Sequence, residues 1–169
     1  AVILTIVGIT VLYSINPQTA MFGAISIFIY VFLYTPLKTK TPLSVFVGAF
    51  PGAIPFMLGW VAATNDFGIE PGTLFMIQFF WQFPHFWAIA WRCHDDYKKA
   101  GFHLLPSAGG KDIKSAFQIL LYTLFMVPIA MLPCFPAFGI AGLTASIIIL
   151  ACGIIMLHPA FMLFKTLED

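Results

Sequence analysis

The sequence predicts an all-α fold, a polytopic helical bundle set in a membrane, and three observations predict it. Of its 169 residues, 60% are hydrophobic and 9% charged, with a mean hydropathy of +0.95, whereas soluble domains carry about 25% charged residues. The charges are also clumped: none falls in 1–37, 41–65, 71–91 or 115–164, and a membrane helix needs about 20 apolar residues. These stretches are apolar on every side, without the alternation that a membrane strand would show.

A single transmembrane domain, 1–169, is expected, with helices at 2–13, 19–34, 42–63, 72–91, 114–132 and 139–157. The first two are separated by a turn at Asn16-Pro17, and the last runs on toward Lys165. The third contains Gly48, Pro51, Gly52 and Pro55. Two prolines remove backbone donors and force kinks, and glycines four apart let another helix approach closely. Either a kinked helix packed in a bundle or a backbone opened onto a cavity answers to this pattern, because irregular backbone at membrane depth survives only when buried or cavity-lining.

With six spans, every Lys and Arg (Lys38, Lys40, Arg92, Lys98, Lys99, Lys111, Lys114, Lys165) lands on one side. The opposite loops, 14–18, 64–71 and 133–138, hold only the acids Asp66 and Glu70. The positive-inside rule then turns the loop 92–113 toward the cytoplasm or matrix. Cys93, Cys134 and Cys152 share no metal or disulfide spacing, and no nucleic-acid-binding pattern is present. The chain starts inside an apolar run without Met or a signal peptide, which reads as an internal piece of a longer protein.

Reactive groups concentrate in 91–106. The adjacent carboxylates Asp95 and Asp96 suit Mg²⁺, a hard cation that bridges one or two carboxylates to substrate phosphates. Arg92, Lys98 and Lys99 could take the phosphate oxygens, Arg bidentately and Lys as a point charge. If the helix continues past Trp91, Arg92 and Asp96 are i,i+4 neighbours; the alternative is a solvated loop whose Arg92–Asp96 surface pair is worth little. His85, in Trp81-Gln82-Phe83-Pro84-His85-Phe86, lies within or at the end of a span, where an ionisable group is a functional candidate or a hydrogen-bonded structural histidine. His158 is read as interfacial, and Gln78, Gln82 and Gln118 as hydrogen bonders between helices. The 19 Phe, four Trp and five Tyr suit either a carbocation-stabilising cavity or lipid-facing packing.

Tyr34-Thr35-Pro36-Leu37-Lys38, Thr41-Pro42, 48–55 with Gly59-Trp60, 81–86, Asp95-Asp96-Tyr97-Lys98-Lys99-Ala100-Gly101, Leu104-Leu105-Pro106 and Gln118-Ile119-Leu120 with Tyr122 occur in this order. Over about 10–125 the chain thereby resembles the protohaem IX farnesyltransferase (haem O synthase) family of the UbiA-like intramembrane prenyltransferases. The resemblance implies about nine helices, six of them here, and two Asp-rich loops that bind a prenyl diphosphate through Mg²⁺. It puts Asp95, Asp96 and Tyr97 in the second loop, with adjacent Asp where relatives acting on aromatic acids have DxxxD. The first loop, expected before residue 1, would leave half a site here, so this piece alone is expected not to turn over.

The implied activity is Mg²⁺-dependent transfer of farnesyl from farnesyl diphosphate to the 2-vinyl group of protohaem IX. Lys38, Arg92, Lys98 and Lys99 would bind diphosphate, and His85, Trp81, Phe86 and Pro55 would shape the haem pocket. A homo-oligomer or a complex with a haem A synthase, in a bacterial cytoplasmic or mitochondrial inner membrane, completes the expectation. The competing readings are a prenyltransferase acting on a quinone or chlorophyll precursor, and a transporter subunit. A transporter predicts broken helices repeated in two halves, and one strongly broken helix without an internal repeat argues against it.

Overall fold

The computed structural model describes residues 1–135, 138 and 140–167, and every regular element among them is helical. Helix α1 (Val2–Ile15) ends at Asn16, where the chain turns as the sequence predicts. The buried Asn16 side chain accepts from the Thr19 N–H at 2.7 Å, capping the next helix, and donates to the Val61 carbonyl at 3.1 Å. Pro17 follows in the first turn, where no N–H partner is needed. One asparagine therefore starts a helix and ties it to another 45 residues on.

Helix α2 (Pro17–Leu37) widens to a π turn over Ile29–Tyr34, and the Thr35 hydroxyl donates to the Tyr30 carbonyl at 2.8 Å. Helix α3 (Ser44–Thr64) stays helical through both prolines. Pro55 cannot donate to the Pro51 carbonyl one turn back; the Ser26 hydroxyl of α2 does so instead, at 3.1 Å. The packed helix is therefore the arrangement adopted at these residues. Gly48 and Gly52 admit different neighbours: a Cβ at 48 would strike the Tyr34 ring, and one at 52 would collide with Gln82.

Helix α4 (Ile69–Arg92) follows a left-handed Asn65 that ends α3. Its Gln82 amide donates to the Ala49 carbonyl of α3 at 3.0 Å and to the Gln78 carbonyl at 3.2 Å, realising the expected inter-helix bond. After α5 (His94–Lys99) and a loop come α6 (Ile113–Met131), extended by a tight turn to Cys134, and α7 (Leu143–Thr166). Gly139, where the sixth predicted helix begins, lies outside the described residues.

Helices α2, α3, α6 with its turn, and α7 are long and apolar enough to cross a membrane, and the chain is an integral membrane protein. Two of the six expected spans fall short of that standard. Helix α1, at 14 residues, is shorter than the roughly 20 a crossing needs. Helix α4 has 24 residues but is less apolar, because Gln78, Gln82 and His85 interrupt it.

From α1 to α4 each long helix packs on the next, and α6 then packs on α4 and α7 on α6, giving a row. The core lies in the middle of that row. Phe79, Phe83 and Trp87 of α4 are buried between Phe46 and Phe50 of α3 and Tyr122 of α6, with ring centroids 4.9–5.7 Å apart for the closest pairs. Such aromatic pairs add about 0.5–1.5 kcal/mol each beyond area burial. The end helices contrast with this: no residue of α1 is buried, and in α7 only Gly153 and Ala160 are.

Candidate functional site

The charged helix α5 is not a continuation of α4. The chain turns at Cys93 (φ −96°, ψ 24°), so the carboxylates enter the first turn of a new, six-residue helix. The expected Arg92–Asp96 pair does not form: Asp96 lies 3.7 Å from the Lys99 ammonium, three residues on, with both side chains about 80% exposed. Asp95 is exposed as well. No third His, Cys, Asp or Glu among the described residues joins them to make a full metal cage. Two adjacent, solvent-accessible carboxylates nevertheless fit Mg²⁺, which keeps several waters and takes one or two protein carboxylates together with substrate phosphates.

The four basic candidates take four different surroundings. Lys38 sits 5.0 Å over the Phe102 ring, and its carbonyl accepts from the His103 N–H at 3.2 Å. Lys98 and Tyr97, with Lys40, His94 and His103, line a cavity of about 410 Å³ closed by the loop at Gly109 and Gly110. Lys99 stays with Asp96, and Arg92 points to a different cavity. These four cations therefore do not converge within this chain. Lys40, His94 and His103 were given no role from sequence, although His94 and His103 lie in the reactive stretch 91–106 and Lys40 shares the charged face.

The loop is held by Asp112, the N-cap of α6. Its carboxylate accepts from the Ser115 N–H at 2.8 Å and from the Ser107 hydroxyl. The Ser107 bond, then that from Ser115, holds the Asp112 carboxyl below the usual carboxylate range.

Trp81, His85, Ala88 and Arg92 recur at i, i+4, i+7 and i+11 and so share one face of α4. That face lines a cavity of about 780 Å³ with Ile119 and Thr123 of α6 and, on α7, His158 and Met162. The size lies within the 300–1,000 Å³ of ligand sites, and so does the apolar lining with few polar groups. The His85 ring stacks on Trp81, centroids 4.3 Å apart and 17° from parallel, and meets Phe86 edge-on at 5.4 Å. Trp91, also on the lining, is 1% exposed, and its indole N–H has no hydrogen-bond partner among the described residues. Phe86 and Pro55 are exposed and are not part of this lining. His158, read as interfacial, is brought into the cavity; its i,i+7 spacing to Lys165 was the sequence signal for its depth.

The profile of the UbiA prenyltransferase family matches residues 1–168. The chain is 63% identical, over all of its length, to a protoheme IX farnesyltransferase of Flavobacterium psychrophilum, of which it covers 57%. It is 64% identical over 95% of its length to one of Christiangramia forsetii, covering 54%, and 40% identical over 77% to protoheme IX farnesyltransferase 1 of Bacillus subtilis, covering 41%. The chain thus spans about half the length of the curated relatives it matches. No solved structure matches it.

Proposed function

The chain belongs to the UbiA prenyltransferase family, and from that premise we propose that the full-length protein farnesylates the 2-vinyl group of protohaem IX, with farnesyl diphosphate as donor. The observation that carries the reading is the 63% identity, over the whole of this chain, to a relative named for that activity. The 780 Å³ apolar cavity beside the charged helix supports it, since a flat macrocycle and a diphosphate need such contrasting surroundings side by side.

In this reading Asp95 and Asp96 would hold Mg²⁺ together with the diphosphate, and Mg²⁺, when bound, would supply positive charge against the leaving group. Arg92, at the junction of α4 and α5, faces the apolar cavity, and Lys38, Lys98 and Lys99 keep the surrounding face positive. Trp81 and His85 orient the macrocycle so that its vinyl edge meets the farnesyl C1 carbon. The C1–O bond breaks with its electron pair leaving on diphosphate, and the vinyl π pair forms the new C–C bond. Water then adds to the remaining vinyl carbon and releases a proton, giving the hydroxyethylfarnesyl product. The Phe and Trp rings of α4 suit transient positive charge. The catalytic face would be the cytoplasmic one of a bacterial membrane, where all the Lys and Arg residues gather.

The test is to incubate the full-length protein with farnesyl diphosphate, protohaem and Mg²⁺ and identify the product by mass. A haem carrying one farnesyl group and one added water is expected. A prenylated quinone precursor formed in place of it, or no prenylated haem at all, would overturn the reading.

A further inference from the structure

We propose that His158 is a second imidazole ligand to the acceptor's iron, opposite His85; this rests on protohaem being the acceptor and deepens that reading. His85 lies seven residues before Arg92, and His158 seven before Lys165. Both helices run toward the basic face, so at 1.5 Å per residue the two imidazoles sit level, about 10 Å inside it. They line one cavity: α4 and α7 each pack on α6, whose Ile119 and Thr123 form the floor between the two walls.

Neither imidazole makes a hydrogen bond among the described residues. His85 has ring contacts with Trp81 and Phe86, and His158 has none among the described residues. An ionisable side chain two turns inside a span is costly unless it faces a cavity and a partner. A neutral imidazole nitrogen is a common ligand for iron, and haem iron takes axial ligands from protein side chains on its two faces. A macrocycle held between the walls presents its iron to both histidines. Two axial bonds fix its tilt and leave the vinyl edge turned toward the charged helix.

Ferric haem is added to the detergent-solubilised full-length protein, and the optical and paramagnetic-resonance spectra are recorded. Low-spin, six-coordinate iron is expected for the wild type. His158→Ala and His158→Gln are each expected to give high-spin iron with at least tenfold weaker haem binding, and added imidazole is expected to restore the low-spin signal in His158→Ala. The Gln variant and the imidazole rescue separate ligand loss from misfolding. Haem binding with the same spin state in wild type and both variants would overturn the inference and leave the acceptor reading standing. A wild type that binds no haem would overturn both.

Discussion

Helix α5 and the stripe of α4 just before it are joined through one residue, Cys93, yet are opposite in physical character. Helix α5 has six residues, five of them charged or His, and none is buried. The stripe from Trp81 to Arg92 looks onto an apolar cavity, and the same helix contributes Phe79, Phe83, Trp87 and Trp91 to the buried core. The break at Cys93 is what separates them: a continuous helix would have carried Asp96 onto the face of Arg92. The contrast teaches that a hydrated, charged helix and the wall of an apolar cavity can be neighbours in sequence when the backbone turns between them.

The largest expected effect breaks the contrast at α5. In the full-length protein, Asp95→Asn and Asp96→Asn should each lower turnover by about 10²-fold or more, the scale of losing one preorganised charge contact, while haem binding and thermal stability stay unchanged. Product formation at the wild-type rate in both would remove α5 from the chemistry. On the buried side, Gly52→Leu should destabilise the protein by about 1–3 kcal/mol through overpacking against Gln82, read as a lower unfolding midpoint in detergent.

A smaller change comes from Gln82→Leu, which loses two hydrogen bonds worth about 0.6 kcal/mol each in a membrane setting. It should lower the same midpoint without changing the α5 chemistry. Asp112→Ala should cost about 1 kcal/mol as a lost N-cap. Because the folded Asp112 carboxyl titrates below its ordinary 3.8, its contribution is present above that value and lost as pH falls through the folded one. The gap in stability between wild type and Asp112→Ala should therefore close on acidification. At the bottom of the scale, Lys99→Ala should leave stability unchanged, since its pair with Asp96 is solvent-exposed.

Much of the fold is legible in the residues themselves. The turn at Asn16-Pro17 follows from a capping side chain and a proline suited to a helix start, and both act within four residues. The helical stretches follow from apolar runs with no place for charge. Gln82 was identifiable as a bond between helices because an amide in a span must find a partner. The continuity of 44–64 was not identifiable, because it depends on Ser26, 25 residues away, reaching the carbonyl that Pro55 leaves free. The grouping of the cations was equally hidden: Lys38, Arg92, Lys98 and Lys99 share a membrane face, and only the turn at Cys93 and the ring of Phe102 send them to separate surroundings.

By itself the sequence determined that the chain is a helical membrane protein, where its charges collect, and which short motifs carry the family resemblance, because these are set by transfer into lipid and by local spacing. Only the tertiary structure decided that His158 shares a cavity with His85 and that Asp96 pairs with Lys99. The two histidines are 73 positions apart in the chain, and α6 lying between their helices is what makes them walls of one space. Hydropathy measures how deep a residue lies, but it carries no information about which face it turns to, and side-chain packing sets that.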